Sequence, residues 1–385
     1  MLLILAGVSI NLVLGENGII TQAKKAKKET NEANQRGDQE LSDLNARLDE
    51  LVGDEAETTK PYMPGDTFTV VAGTTLDNGL TIQDATENGN QYVWVEVPKT
   101  TTVYPSAGLN ITEFTTDDYK HIENDLHTYT STYRNGTSYS DVHASDSSDG
   151  WFTSEQYTAQ KQKMLKSIYQ NGGFWVAKYE AGLTEENKRT SQKPAPTIAP
   201  QSKANLVPYN YVTRTEAKKL AEKVTYTKGE TTYTGSLMFG VQWDLMLKFI
   251  ETKKLATDAK IVSKLNSDST TIGNYNDNQW NITNTVAKYS TDYGRTFNPC
   301  PYQKTSNVKV LLTTGADSSF SLMNIYDIAG NVWEWTLEYA SDRTLSCAAR
   351  GDSFYGTDSN LPASGRSGGS TIISENYVGF RLSLY

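Results

Sequence analysis

Residues able to do covalent or metal chemistry are few in this chain. It holds two cysteines, Cys300 and Cys347, and three histidines, His121, His127 and His143, all within one segment. That leaves little for a zinc site or a histidine-based triad elsewhere. The sequence contains no Gly-x-Ser-x-Gly elbow, no phosphate-binding P-loop and no His-Glu-x-x-His helix. Carboxylates are plentiful, but no spacing singles out an acid–base pair. A different chemistry stands out between Gly351 and Tyr377. Six serines and five glycines there surround Tyr355, Arg366 and Tyr377. Rigid tyrosines among small, adaptable residues are the mix with which antibody paratopes bind their antigens. The composition suits a binding surface displayed from a rigid scaffold.

The scaffold has its own signals. From Asn324 the chain reads NIYDIAGNVWEWTLE, then AARGDSF at 348–354, PASGR at 362–366 and VGFRLSLY to the end. Gly330 and Gly351 suit turns that need positive φ. Trp333 and Trp335 alternate with Glu334, so in a strand both indoles share one face and the carboxylate takes the other. Arg350 and Arg381 are candidates for buried ion pairs with Glu334 or Asp327. Upstream, strands are expected at 68–71, 92–97 and 174–180. Thr213 can cap a helix starting at Arg214, with Glu216 completing a capping box. A second helix is expected over 241–252, with Trp243, Met246, Leu247 and Ile250 on one face. The stretches 100–150 and 258–307 are polar and loop-like. Helices and short strands do not alternate regularly, which predicts an α+β fold.

The chain has 385 residues, a net charge of -9 and a pI of about 5.1. That argues against a nucleic-acid partner, which would call for a basic face. Two cysteines do not make a disulfide scaffold, and pairing of Cys300 with Cys347 stays open. Met1 to Leu14 is nearly all apolar, short of the roughly 20 residues of a spanning helix. The expectation is that it is part of a longer hydrophobic segment. Leu41, Leu44, Leu48 and Leu51 then fall on one helix face. Residues 1–55 are therefore read as a long N-terminal helix, hydrophobic then amphipathic. Residues 56–65 read as a linker around Pro61, Pro64 and Gly65, and 66–385 as one domain with insertions near 100–165 and 255–310.

The closing motifs resemble those of formylglycine-generating-enzyme-like (sulfatase-modifying factor) domains, with their G-N-V-W-E-W strand, R-G-G-S turn and terminal G-F-R. The resemblance implies a C-type lectin fold. The enzymes keep their catalytic cysteines between the last two motifs. This chain has none between Ser353 and Gly379, so the resemblance does not carry the activity over. In some family members, positions matching Asp327, Gly330, Val332 and Glu334 bind calcium, a hard ion suited to oxygen ligands. The competing reading has Asp327 capping a turn and Glu334 pairing with an arginine. No other cofactor is implied.

The serine- and glycine-rich stretch resembles variable proteins of diversity-generating retroelements. Their lectin-fold C-terminal segment is rewritten while the scaffold stays constant. The resemblance implies Tyr355, Gly356, Thr357, Gly365, Ser367, Gly368 and Gly369 as diversified, ligand-binding positions, with Ser341, Asp342 and Thr344 as a second set. The N-terminal string ILAGVSINLVLGENGIITQAKKAKKE resembles the first helix of type IV pilin-like proteins. Together these imply a non-catalytic binding protein facing the cell exterior, held in a membrane or pilus by its N-terminal helix. Its ligand would be a protein or a glycan. Two other readings stay open: a structural or adhesive pseudopilin without diversification, and an oxidase of the formylglycine-generating type.

Overall fold

The computed structural model describes residues 61–385 except 87–88, 135–137, 342–343 and 357–360. The expected N-terminal helix, Asp342 and Thr357 therefore lie outside the described residues.

Two sheets carry the architecture. The first contains β1 (Phe68–Val70), β2 (Thr81–Asp84), β3 (Gln91–Glu96), β5 (Gly173–Ala177), β11 (Leu382–Leu384) and β6 (Ser236–Leu237), in that order and antiparallel throughout. In β3 the residues Tyr92, Val93, Trp94 and Val95 are all buried. A half-exposed strand would bury only every second residue. Here both faces are covered, so the run is apolar rather than alternating. Trp94 sits opposite Trp175 of β5, with ring centroids 5.1 Å apart and edge to face.

The second sheet orders β9 (Arg366–Gly369), β8 (Cys347–Arg350), β7 (Trp333–Ala340) and β10 (Val378–Phe380). The short β4 (Tyr139–Ser140) joins the far end of β7. Only the β7–β10 pair in this sheet is parallel. β10 lies in the second sheet and β11 in the first, so the chain changes sheets at Arg381.

Helices cover these sheets. α1 (Thr116–Tyr129) and α2 (Ser154–Asn171) both open with capping boxes, from Thr115 and Thr153. They fall in the stretch that reads as a polar insertion. α1 buries only Ile122, Asp125 and Leu126, too thin an apolar stripe to register as a helical period. α3 (Arg214–Ala221) has the expected Thr213–Glu216 box. α4 (Gly240–Lys254) matches its expected extent within a few residues, but its N-cap residue is Phe239. The missing cap comes from afar: the Asp141 carboxylate accepts from the backbone N–H groups of Gly240 at 2.7 Å and Val241 at 2.9 Å. α5 (Ile261–Asn266) follows. Among the described residues no helix is long and apolar enough to cross a membrane.

Candidate functional site

Arg381 fixes the junction of the two sheets. Its side chain is fully buried and bidentate to Glu334, with Nη2–Oε1 at 2.7 Å and Nε–Oε2 at 3.0 Å. Its remaining N–H groups donate to the carbonyl oxygens of Ala177, Tyr326 and Asp327. One guanidinium thus ties β5, β7 and the Asp327 turn together. The Asp327 carboxylate accepts from the Gly315 N–H at 2.6 Å. Glu180, just past β5, accepts from Asn331 Nδ2 and from the Val332 N–H. Three buried acids therefore share one arginine. Burial pushes Asp327 up to about 7 and raises Glu180 and Glu334 despite Arg381, with neighbouring acids adding to the shift at Asp327 and Glu180. Gly330 adopts φ 70°, and a Cβ there would collide with the Asn274 backbone. In the positions considered for calcium, the Glu334 oxygens and Asp327 Oδ2 already have protein partners.

A second buried group of charges supports β8 and β9. Arg350 bonds Asp244 of α4 at 2.7 Å, and Arg366 bonds Asp244 at 2.6 Å and Glu338 at 3.0 Å. Trp243 Nε1 donates to the Ala363 oxygen, locking the loop between β8 and β9 onto α4. Arg350 thus pairs with Asp244 and with Glu338 at 3.5 Å, not with the expected Glu334 or Asp327. Arg366, read as part of the binding surface, belongs to this buried network, with its side chain 3% exposed.

The expected binding positions separate into three kinds. Gly356, Gly365 and Gly369 are buried. A Cβ on Gly356 would run into the Asp352 carboxylate. On Gly365 it would lie 2.8 Å from the Pro362 oxygen, and on Gly369 2.6 Å from the Trp335 ring. A larger side chain would have to move the Asp352 carboxylate at Gly356, backbone at Gly365 and the Trp335 ring at Gly369. Ser367 and Gly368 are half-buried on β9, the sheet edge, with Gly368 against Leu345. Thr344 and Ser341 are exposed nearby in sequence. Tyr355 lies elsewhere. β9 and β10 flank opposite sides of β8–β7, and Tyr355 packs against Tyr377 just before β10.

Around Tyr355 the structure gathers aromatic residues that the sequence scatters. Tyr377 lies 5.0 Å away by ring centroids and Tyr293 5.7 Å away, nearly parallel. Lys309 Nζ stands 4.3 Å from the Tyr355 ring centroid. Buried Phe354 lies beneath. Asn376 Nδ2 donates to the Tyr355 hydroxyl. Burial and the neighbouring hydroxyls of Tyr293, Tyr211 and Tyr377 raise the Tyr355 hydroxyl above its ordinary value. Tyr211 and Tyr293 both hold left-handed backbone, at φ 53° and 65°. That conformation is costly for a side chain of this size and is retained where the surroundings impose it. Tyr293 is 41% exposed. Tyr211, Tyr293 and Lys309 carried no local sequence signal, since they come from three separate loops.

Neither cysteine faces this surface through a disulfide. Cys300 and Cys347 are both free and buried in different apolar clusters, and burial raises both thiols.

Residues 264–384 match the model of the sulfatase-modifying factor enzyme 1-like domain. Among solved structures, the chain is similar to Treponema denticola variable protein 1, at 14% identity and a TM-score of 0.30, over 55% of this chain and 84% of that one. It is similar to CarF at 11% identity and a TM-score of 0.28, over 55% and 85%. No curated protein matches it. The matched segment runs from α5 to the last strand. It includes Tyr293, Tyr355 and Tyr377, but not Tyr211, Glu180 or Asp244.

Proposed function

We propose that this chain is a non-catalytic ligand-binding protein with a formylglycine-generating-enzyme-like C-type lectin domain. The observation that carries this reading is the tyrosine platform: Tyr355 flanked by Tyr293, Tyr377 and Tyr211, with Lys309 over its ring. Tyrosines bury large contact area at low entropic cost and keep a hydroxyl for hydrogen bonding. Two of the four sit in strained backbone, as expected where a surface is held ready for a partner. The absence of cysteine between Ser353 and Gly379 supports the non-catalytic reading, because oxidation of a cysteine substrate there would need thiols.

The ligand is a protein or a glycan. The edge strand at Ser367 and Gly368, with the exposed Ser341 and Thr344, is the part suited to diversification, as in retroelement target proteins. The apolar run at the N-terminus would hold the domain at a membrane or pilus, facing out. The test uses purified chain on a synthetic glycan array and a random-peptide display library. Tyr293→Ala and Tyr355→Ala should each lower capture at least about tenfold with folding intact. Equal capture by wild type and both variants would remove the platform from the function. Copper-dependent oxidation of a cysteine peptide would replace this reading with the oxidase. For diversification, the gene should lie beside a reverse transcriptase and a near-copy of its own 3′ end, with mismatches at adenines. An intact locus without that repeat would leave a constant binding protein.

A further inference from the structure

Beneath the Tyr355 loop, three buried oxygens have no hydrogen-bond partner: Asn276 Oδ1, Asp277 Oδ1 and Asp352 Oδ2. Asp352 is 2% exposed and Asn276 7%. Buried polar atoms are nearly always satisfied, so each orphan calls for an explanation. The turns that carry them meet at Gly356. The Asn276 N–H donates to the Gly356 oxygen at 2.8 Å. The Asp352 carboxylate lies against Gly356, so closely that a Cβ there would overlap it. Asp277 adds its charge to the field felt by Asp352. Asp352 also holds left-handed backbone, φ 64°, in the turn that begins the loop. Burial first, then Asp277, pushes its carboxyl up to about 7.

The buried ammonium at the same turn does not hydrogen-bond these groups. Lys304 Nζ, itself buried, donates to the Asn276 carbonyl oxygen at 2.9 Å and to Asn278. It braces the turn and leaves all three side-chain oxygens unpaired. The Tyr275 hydroxyl is spent on the Leu361 oxygen. Two carboxylates and a carboxamide, with no histidine or cysteine among them, form a hard-oxygen donor set.

We propose that Asn276, Asp277 and Asp352 bind a hard divalent cation, calcium by preference. The ion would cross-link the 276–277 turn to the base of the loop that carries Tyr355. This site is distinct from the Asp327–Glu334 group, whose acids share Arg381. It is also distinct from Glu123, His127 and Asp141, whose ligand atoms lie within 4.8 Å of one another. There Lys161 already takes up both Glu123 oxygens, and Asp141 caps α4.

The test uses the full chain stripped with EDTA. Calcium alone is titrated by calorimetry and by thermal melting, and terbium is titrated by luminescence excited through tyrosine. Wild type should bind calcium saturably and melt at a higher temperature with it. Asp352→Asn and Asp277→Asn should each weaken calcium and terbium binding at least about tenfold. Asp277 is only half-buried, so its variant keeps the test decisive if Asp352→Asn folds poorly. Asp327→Asn should leave binding unchanged. No calcium binding by wild type, undiminished binding in both variants, or loss of binding in Asp327→Asn instead would each overturn the proposal. None of these outcomes depends on the array result for the tyrosine platform.

Discussion

At the scale of single residues, the molecule is held by arginines that never reach solvent. Arg381 joins two sheets because the chain crosses from one to the other at that position, and five acceptor atoms converge on it. Arg381→Ala would leave Glu334 buried without its counter-charge beside Glu180 and Asp327. Breaking a buried pair from one side costs about 3–5 kcal/mol, so a large drop in the urea midpoint is expected. Glu334→Gln should cost less, because the neutral amide can still accept and one of three crowded charges is gone. If Arg381→Ala unfolds at the wild-type midpoint, the junction does not hold the sheets together. The sequence signalled that Arg381 would be paired and that Glu334 was a candidate partner. It could not signal that Arg350 would instead meet Asp244, 106 positions away on a helix, because no local pattern encodes that distance.

At the scale of elements, what was legible followed from local chemistry. The α3 capping box lies within a few residues of sequence and appears as expected. In α4 the four expected apolar residues are buried, but so are Val241, Gln242, Asp244, Leu245 and Phe249, so the helix is covered on nearly all sides rather than on one face. The cap of α4 by Asp141 and the thin apolar stripe of α1 depend on tertiary packing and were not readable. The glycines of the closing loop show the same division. Composition marked Gly365, Gly368 and Gly369 as one adaptable set, but only packing separates them. Gly369 faces the Trp335 ring, whereas Gly368 faces the exposed Leu345 side chain. Gly368→Tyr should therefore need only a small shift of Leu345 and lower the melting temperature less than the change at Gly369. Gly369→Tyr must displace a core tryptophan, and overpacking of this kind costs about 1–3 kcal/mol or more. Thermal melts of the two variants decide it. Equal tolerance at both positions would mean that the edge strand slides freely, and the separation into packing and surface positions would fall.

At the scale of the whole molecule, the buried acids set how stability responds to pH. Asp327 and Asp352 are each pushed from the ordinary aspartate value to about 7, with burial the largest cause. Both keep a proton in the folded chain up to about pH 7 that the unfolded chain releases near the ordinary aspartate value. Glu180 shifts in the same direction, as do Glu334, paired with Arg381, and Glu338, paired with Arg350 and Arg366. Their contribution is fully present below the unfolded carboxylate range and is lost as pH rises through the folded value. The carboxylates held low, such as buried Asp141, act in the opposite sense, but only below the ordinary aspartate range. Between about pH 4 and 7 the raised acids dominate, so stability should fall with rising pH, by an amount on the order of a few kcal/mol. Net charge of -9 adds self-repulsion in the same direction. Urea midpoints measured in EDTA at about pH 5.5 and 7.5 test this. The Asp327→Asn/Asp352→Asn double variant should show a flatter profile and the larger gain at the higher pH. A wild-type midpoint that rises across this window, or a double variant with the full slope, would mean that these acids are ionised in the native state and compensated by partners other than those described.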